Sequence, residues 1–99
     1  MLIKEAPATY ITELGRRELL DQVQQEFING DLTLGQSLQT LRKYIAGLKQ
    51  EEFAELCGVS RRTLAAIEAD KANPTFNTIN QLFGIFGLKI GLTSKYPGR

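Results

Sequence analysis

The chain has no histidine and no tryptophan, and a single cysteine, Cys57, in 99 residues. Without an imidazole there is no Ser-His-Asp triad, no imidazole base and no His metal ligand. One thiol cannot build a Cys₄ or Cys₂His₂ zinc site or an intrachain disulfide. No cofactor, metal site or catalytic constellation is expected, and the chain reads as a non-enzyme. Cys57 reads as a small buried hydrophobe, and its solitude points to a reducing, cytoplasmic compartment. No apolar run approaches the roughly 18 residues of a membrane span. The start Met1-Leu2-Ile3-Lys4-Glu5 lacks the basic-then-apolar layout of a signal peptide. An excess of one charge is missing too, because 12 basic and 11 acidic groups leave +1. A nucleic-acid domain is usually visibly basic. The charge is uneven, however. Residues 1–30 hold three basic and five acidic groups, net −2, and residues 31–99 hold nine and six, net +3.

What is present is helical patterning over a composition that is 42% hydrophobic, enough for one buried core. Residues 1–8 read as an arm or a short strand. Thr9 or Thr12 is placed to cap a helix that runs to about Asn29. Leu19, Leu20, Val23 and Phe27 mark its apolar face, and Gly30 its stop. Leu34, Leu38, Leu41 and Ile45 form the stripe of a second helix ending at Gly47. A short helix follows from Gln50 to Leu56, with Phe53, Ala54 and Leu56 inward and Glu51, Glu52 and Glu55 on a solvated face. Gly58 sits behind it. Ser60 caps the next short helix, Arg61 to about Ala69, with Leu64 and Ile67 inward. Asp70-Lys71-Ala72-Asn73-Pro74 is a loop. Thr75 caps a last helix to Phe86, carrying Ile79, Leu82, Phe83 and Phe86. Gly84 inside it costs roughly 1 kcal/mol against Ala. The period then changes, and Leu88, Ile90 and Leu92 alternate with Lys89, Gly91 and Thr93 as a strand does. Such a strand needs a partner, either Met1-Leu2-Ile3 or a second copy of the chain. The division is 1–30 arm and extra helix, 31–87 core domain, 88–94 dimerisation strand and 95–99 tail.

The functional signal lies in residues 50–68. Two short helices flank Cys57-Gly58-Val59-Ser60. Ala54 is small where helices cross, Gly58 permits the tight turn, and Val59 plugs the corner. The outer face of the second helix carries Arg61, Arg62, Ala65 and Ala66. This is the geometry in which a second helix enters the DNA major groove. From Leu48 through Glu68, continuing to Asn73-Pro74-Thr75, the sequence resembles the Cro/cI-type (XRE) helix-turn-helix family, and the resemblance covers about residues 34–87. Phe86-Gly87-Leu88-Lys89-Ile90-Gly91-Leu92 resembles the HipB-type antitoxins, whose strand pairs across a homodimer.

The resemblance implies an all-α bundle of about five helices with a short C-terminal β-strand used in a dimer. It implies base reading by Arg61 and Arg62, for which a bidentate guanine contact gives ~1–3 kcal/mol of discrimination. Ala66 is placed to touch a thymine methyl. Gln50, Lys49, Thr63, Lys71 and Asn73 become phosphate candidates, and Leu88, Ile90 and Leu92 the dimer contacts. Arg42 or Lys43 matches the basic partner of Glu68. Two positions depart from the family. Lys49 stands where Ser or Thr usually caps, and Ala65-Ala66 replaces longer polar readers, which shifts weight to shape readout. The expected function is a sequence-specific DNA-binding repressor on a pseudo-palindromic operator. By the HipB likeness it is an antitoxin that controls its own operon and binds a HipA-like kinase toxin. The alternative is a protein-binding inhibitor in which the helix-turn-helix is mainly a scaffold.

Overall fold

The computed structural model describes residues 13–94. The N-terminal arm, the Thr9 or Thr12 cap, the Met1-Leu2-Ile3 pairing and the 95–99 tail lie outside the described residues. Five α-helices follow one another: α1 (Glu13–Asn29), α2 (Leu34–Leu41), α3 (Gln50–Cys57), α4 (Arg61–Glu68) and α5 (Phe76–Phe83). Local chemistry sets most boundaries. The hydroxyls of Thr33, Ser60 and Thr75 accept from the amides of Gln36, Thr63 and Thr78 at the three N-caps. At Thr33 the bond is reciprocal, since Gln36 Oε1 accepts the Thr33 amide at 2.9 Å. Gly47 and Gly58 end their helices in the left-handed conformation. The second helix is not regular throughout. After Leu41 it widens into a π-helical turn, Arg42–Ala46, which buries Arg42 and Ile45. The last helix also changes pitch, tightening to a 3₁₀ turn at Gly84–Phe86.

One core joins the helices. Leu38, Leu41, Phe53, Leu64 and Leu82 are fully shielded, and Leu19 and Val23 bring α1 onto it. Phe86 stacks on Phe53 with ring centroids 5.7 Å apart. Arg16 Nη1 donates to the Ile45 carbonyl at 3.3 Å, which fastens α1 to the π turn. Two expected core residues lie elsewhere. Leu56 is 57% exposed, and Cys57 takes the inward position, because Cys57 follows Phe53 by four residues on one helix face. Phe27, at the end of α1, is 37% exposed and lines an apolar groove with Val23, Phe83 and Ile90.

The C-terminal segment corrects a further expectation. Residues 88–94 form no strand. Gly87 reverses the chain at a positive φ, and the Leu88 amide donates to the Phe83 carbonyl at 3.1 Å. Leu88 and Ile90 then pack back against the core while Lys89 points out. The alternation is thus real, but its amide at Ile90 donates to Asn80 Oδ1 at 2.8 Å instead of to a ladder partner. Leu92 leaves the surface and is fully exposed.

Helices α2 and α4 cross closely enough to exclude a side chain. A Cβ on Gly35 would lie 2.5 Å from the carbonyl oxygens of both Ile67 and Glu68. Asp70 then closes the crossing. It adopts φ 57° after α4, a conformation that Asp tolerates better than most residues. Its carboxylate accepts from the Gly35 amide at 2.9 Å and from Thr33 Oγ1 at 2.6 Å. The anion therefore sits at the positive end of α2. Gly35→Ala is expected to destabilise the fold by about 1–3 kcal/mol, as overpacking against rigid backbone does. The readout is a thermal midpoint lowered by roughly 4–8 °C per kcal/mol, and an unchanged midpoint would contradict the close crossing.

Candidate nucleic-acid interface

Helix α3, a three-residue turn and α4 form the unit that the sequence motif foretold. Gly58, at φ 75°, donates to the Ala54 and Glu55 carbonyls, and the Val59 amide donates to Ala54 at 3.0 Å. Val59 packs on the core from the corner. Cys57 is buried, and that burial pushes its thiol pKa up, away from reactive thiolate. Leu64 and Ile67 anchor α4, leaving Arg61, Arg62 and Thr63 exposed along its first turn.

A buried ion pair fixes this unit against the second helix. Arg42 Nε donates to Glu68 Oε2 at 2.6 Å, and Arg42 Nη2 to Glu68 Oε1 at 2.9 Å. The two side chains are 7% and 1% exposed. Arg42 Nη1 donates to the Leu48 carbonyl at 2.8 Å, and Gln50 Nε2 to Glu68 Oε1 at 3.0 Å. The choice between Arg42 and Lys43 is thereby settled for Arg42, because Lys43 is exposed. A planar guanidinium fork suits a two-oxygen acceptor in a way that an ammonium does not.

The expected contact residues divide into two groups. Lys49, Gln50 and Arg61 line one open cleft, together with Arg42 and Glu51. Gln50 is half-buried, and its amide nitrogen donates one N–H to Glu68, which leaves its second N–H and its carbonyl for a ligand. Lys49 caps α3 through its backbone amide, which donates to Glu52 Oε1 at 3.1 Å. Its side chain stays exposed. Thr63 is exposed, and its hydroxyl accepts from Ser60 Oγ at 2.8 Å. Lys71 and Asn73 are exposed beyond α4, with the Lys71 amide bonded to the Ala66 carbonyl at 2.9 Å. Ala66 is half-buried, so only part of its methyl surface faces outward. Leu88, Ile90 and Leu92 lie outside this group, on the C-terminal segment.

Sequence reasoning passed over three residues that shape this unit. Asp70 and Gly35 set the crossing of α2 and α4, and only Asp70 left a readable trace, as an Asp just past a helix end. Gln81 of α5 donates to the Cys57 carbonyl at the end of α3, a contact across 24 positions that no local pattern announces. Among the described residues no His, Cys, Asp and Glu group could hold a metal ion, and no helix is long and apolar enough to cross a membrane.

The helix-turn-helix family profile matches residues 38–92. The immunity repressor protein of Bacillus phage phi105 is 36% identical over 59 residues, which are 60% of this chain and 40% of the repressor. The HTH-type transcriptional regulator PuuR of Escherichia coli (strain K12) is 34% identical over 59 residues, 60% of this chain and 31% of the regulator. The chain thus spans less than half the length of these relatives. No solved structure matches it.

Removing one partner of the buried pair strands a charge. Glu68→Gln or Arg42→Met is expected to cost about 3–5 kcal/mol in denaturant unfolding. The double variant Arg42→Met, Glu68→Leu is expected to cost clearly less than the sum of its single changes. Additive losses would show that the two groups do not act as a pair.

Proposed function

The chain belongs to the helix-turn-helix family, and from that premise we propose that it is a sequence-specific DNA-binding transcriptional repressor. The observation that carries this reading is the exposed start of α4. Arg61 and Arg62 project there from a helix whose other face is locked by Leu64, Ile67 and Glu68. Arginine presents two donors in a plane and so matches O6 and N7 of guanine. Lys49, Thr63, Lys71, Asn73 and the second amide N–H of Gln50 supply phosphate contacts around that reading edge. Phosphate contacts set register and base contacts set sequence. The names of the phage repressor and of PuuR agree with this assignment.

The repressor acts as a homodimer on a pseudo-palindrome with half-sites about 10 bp apart. The contact between copies uses the C-terminal segment, where Leu92 is fully exposed and Leu88 and Ile90 support it. The finer reading, an antitoxin that regulates its own operon and binds a HipA-like kinase toxin, rests on the likeness of residues 86–92 alone. A protein-binding role, with the helix-turn-helix as scaffold, predicts no selective DNA binding at all.

Gel shift and salt titration separate these readings. With Lys49 and Lys71 neutralising phosphates in each of two subunits, log K should fall against log salt with a slope of about −4. Arg62→Ala should weaken binding to the selected sequence by about tenfold or more, while binding to unrelated duplex changes little. Equal loss on both duplexes would remove Arg62 from base reading. No selective shift at any salt would overturn the repressor.

A further inference from the structure

Helix α3 ends on four carbonyls that its own turns cannot satisfy. The backbone serves two of them, since the Gly58 and Val59 amides bond to Ala54 and Glu55. The carbonyl of Cys57, the last residue of α3, is served from elsewhere. Gln81, on the outer side of α5, reaches across and donates its amide Nε2 to that oxygen. The same nitrogen stands over the turn itself, because a Cβ on Gly58 would lie 3.2 Å from it. One side chain thus bonds the end of α3 and lies beside the left-handed residue that redirects the chain into α4.

We propose that Gln81 is a positioning residue for sequence reading: it fixes the angle of the turn between α3 and α4 and so the pitch at which Arg61 and Arg62 are presented. The inference rests on the repressor reading for its functional half. Gln81 sits at the opposite end of α3 from Lys49 and Gln50, seven residues or about 10 Å along the helix. It acts on the reading edge through the turn and not by contact. Asn80, its neighbour on α5, anchors Ile90 by the opposite bond, accepting the Ile90 amide on Oδ1. Helix α5 thus holds the C-terminal segment with one side chain and the helix-turn-helix with the next. Phosphate contacts tolerate a small tilt of α4, because Coulomb attraction falls off gradually with distance. Bidentate base contacts do not tolerate it, because hydrogen bonds weaken steeply off-axis. Loss of the brace should therefore cost selectivity before it costs affinity.

The test compares Gln81→Met, which keeps length and loses the donor, with Gln81→Lys, which keeps a donor of similar reach. Two probes are used: a duplex selected by the wild-type protein from a random library, and an unrelated duplex of equal length. Gln81→Met is expected to lower the ratio of selected to unrelated affinity by about tenfold, in line with one lost hydrogen bond. Gln81→Lys is expected to restore that ratio. Equal weakening on both duplexes, or a ratio that Gln81→Lys fails to restore, overturns the proposal. Amide exchange at Gly58 and Val59 is measured on the same variants without DNA. Faster exchange at these two amides in Gln81→Met, with the core amides of α2 unchanged, is the expected result. Exchange unaltered at the turn overturns the brace even if DNA binding changes. Should the wild-type protein select no sequence, the repressor reading fails on its own, and the exchange measurement still decides whether Gln81 braces the turn.

Discussion

The pairing of Arg42 with Glu68 is the constraint on which the rest of this small structure depends. Both charges are out of water, and each would be costly alone. They are tolerated because every polar atom has a partner. Three guanidinium nitrogens are used, by the two Glu68 oxygens and the Leu48 carbonyl, and Gln50 takes a further place on Glu68. These bonds run from the π turn to α4, to the linker before α3 and to α3 itself. The π turn, the linker and α3, which follow one another in the chain, are thereby held in one register with α4. An apolar pair would hold the same space with less cost, but without directed bonds. Directed bonds specify orientation, and the proposed reading, in which α4 presents two side chains to base edges, needs that orientation specified.

The crossing of α2 with α4 works to the same end by different means. Gly35 lets the backbones approach, and Asp70 binds the start of α2 from the end of α4. Helix α4 is consequently fixed at three points: Ser60 at its first turn, Glu68 at its last, and Asp70 just beyond. The helix has only eight residues, too few to be stable by itself. Its order is borrowed from these tertiary bonds and from Leu64 and Ile67 in the core. Local opening of α4 is therefore tied to opening of the whole core.

Much of this was legible because helix ends are local events. Ser60 and Thr75 as caps, and Gly30, Gly47 and Gly58 as stops, act within one turn of chain, and the structure places all five as expected, the glycines at positive φ. The stripes Leu34, Leu38, Leu41, Ile45 and Leu64, Ile67 face inward as their spacing requires, Leu34 only in part. The errors fall where a tertiary partner decides. Leu56 is more hydrophobic than Cys57, but the face set by Phe53 and Ala54 belongs to Cys57. The period-2 pattern at Leu88 and Ile90 did report burial on one side; it did not report what lay on the other. The site shows the same division. The residue types at the start of α4 were readable from the motif. The engagement of the Gln50 side-chain amide with Glu68, and the reach of Gln81 to Cys57, are tertiary contacts that no local pattern encodes.

The charge distribution gains meaning from these contacts. Arg42 is neutralised in the interior by Glu68, so neither contributes to the surface field. Glu51 and Glu52 are exposed on the first turn of α3, beside Lys49, and Glu52 is drawn back to cap the Lys49 amide. Acidic groups thus stand among the cations of the proposed reading edge. A uniformly basic edge would adhere to any duplex and lower the ratio by which one sequence is preferred. Here the attraction at long range is weak, and within a Debye length of about 10 Å at 0.1 M salt the nearby carboxylates oppose it. On the proposed repressor reading, productive contact then depends on placing Arg61 and Arg62 against matching base edges. That makes orientation, more than net charge, the quantity that the buried pair, the Gly35 crossing and the turn after α3 are built to hold.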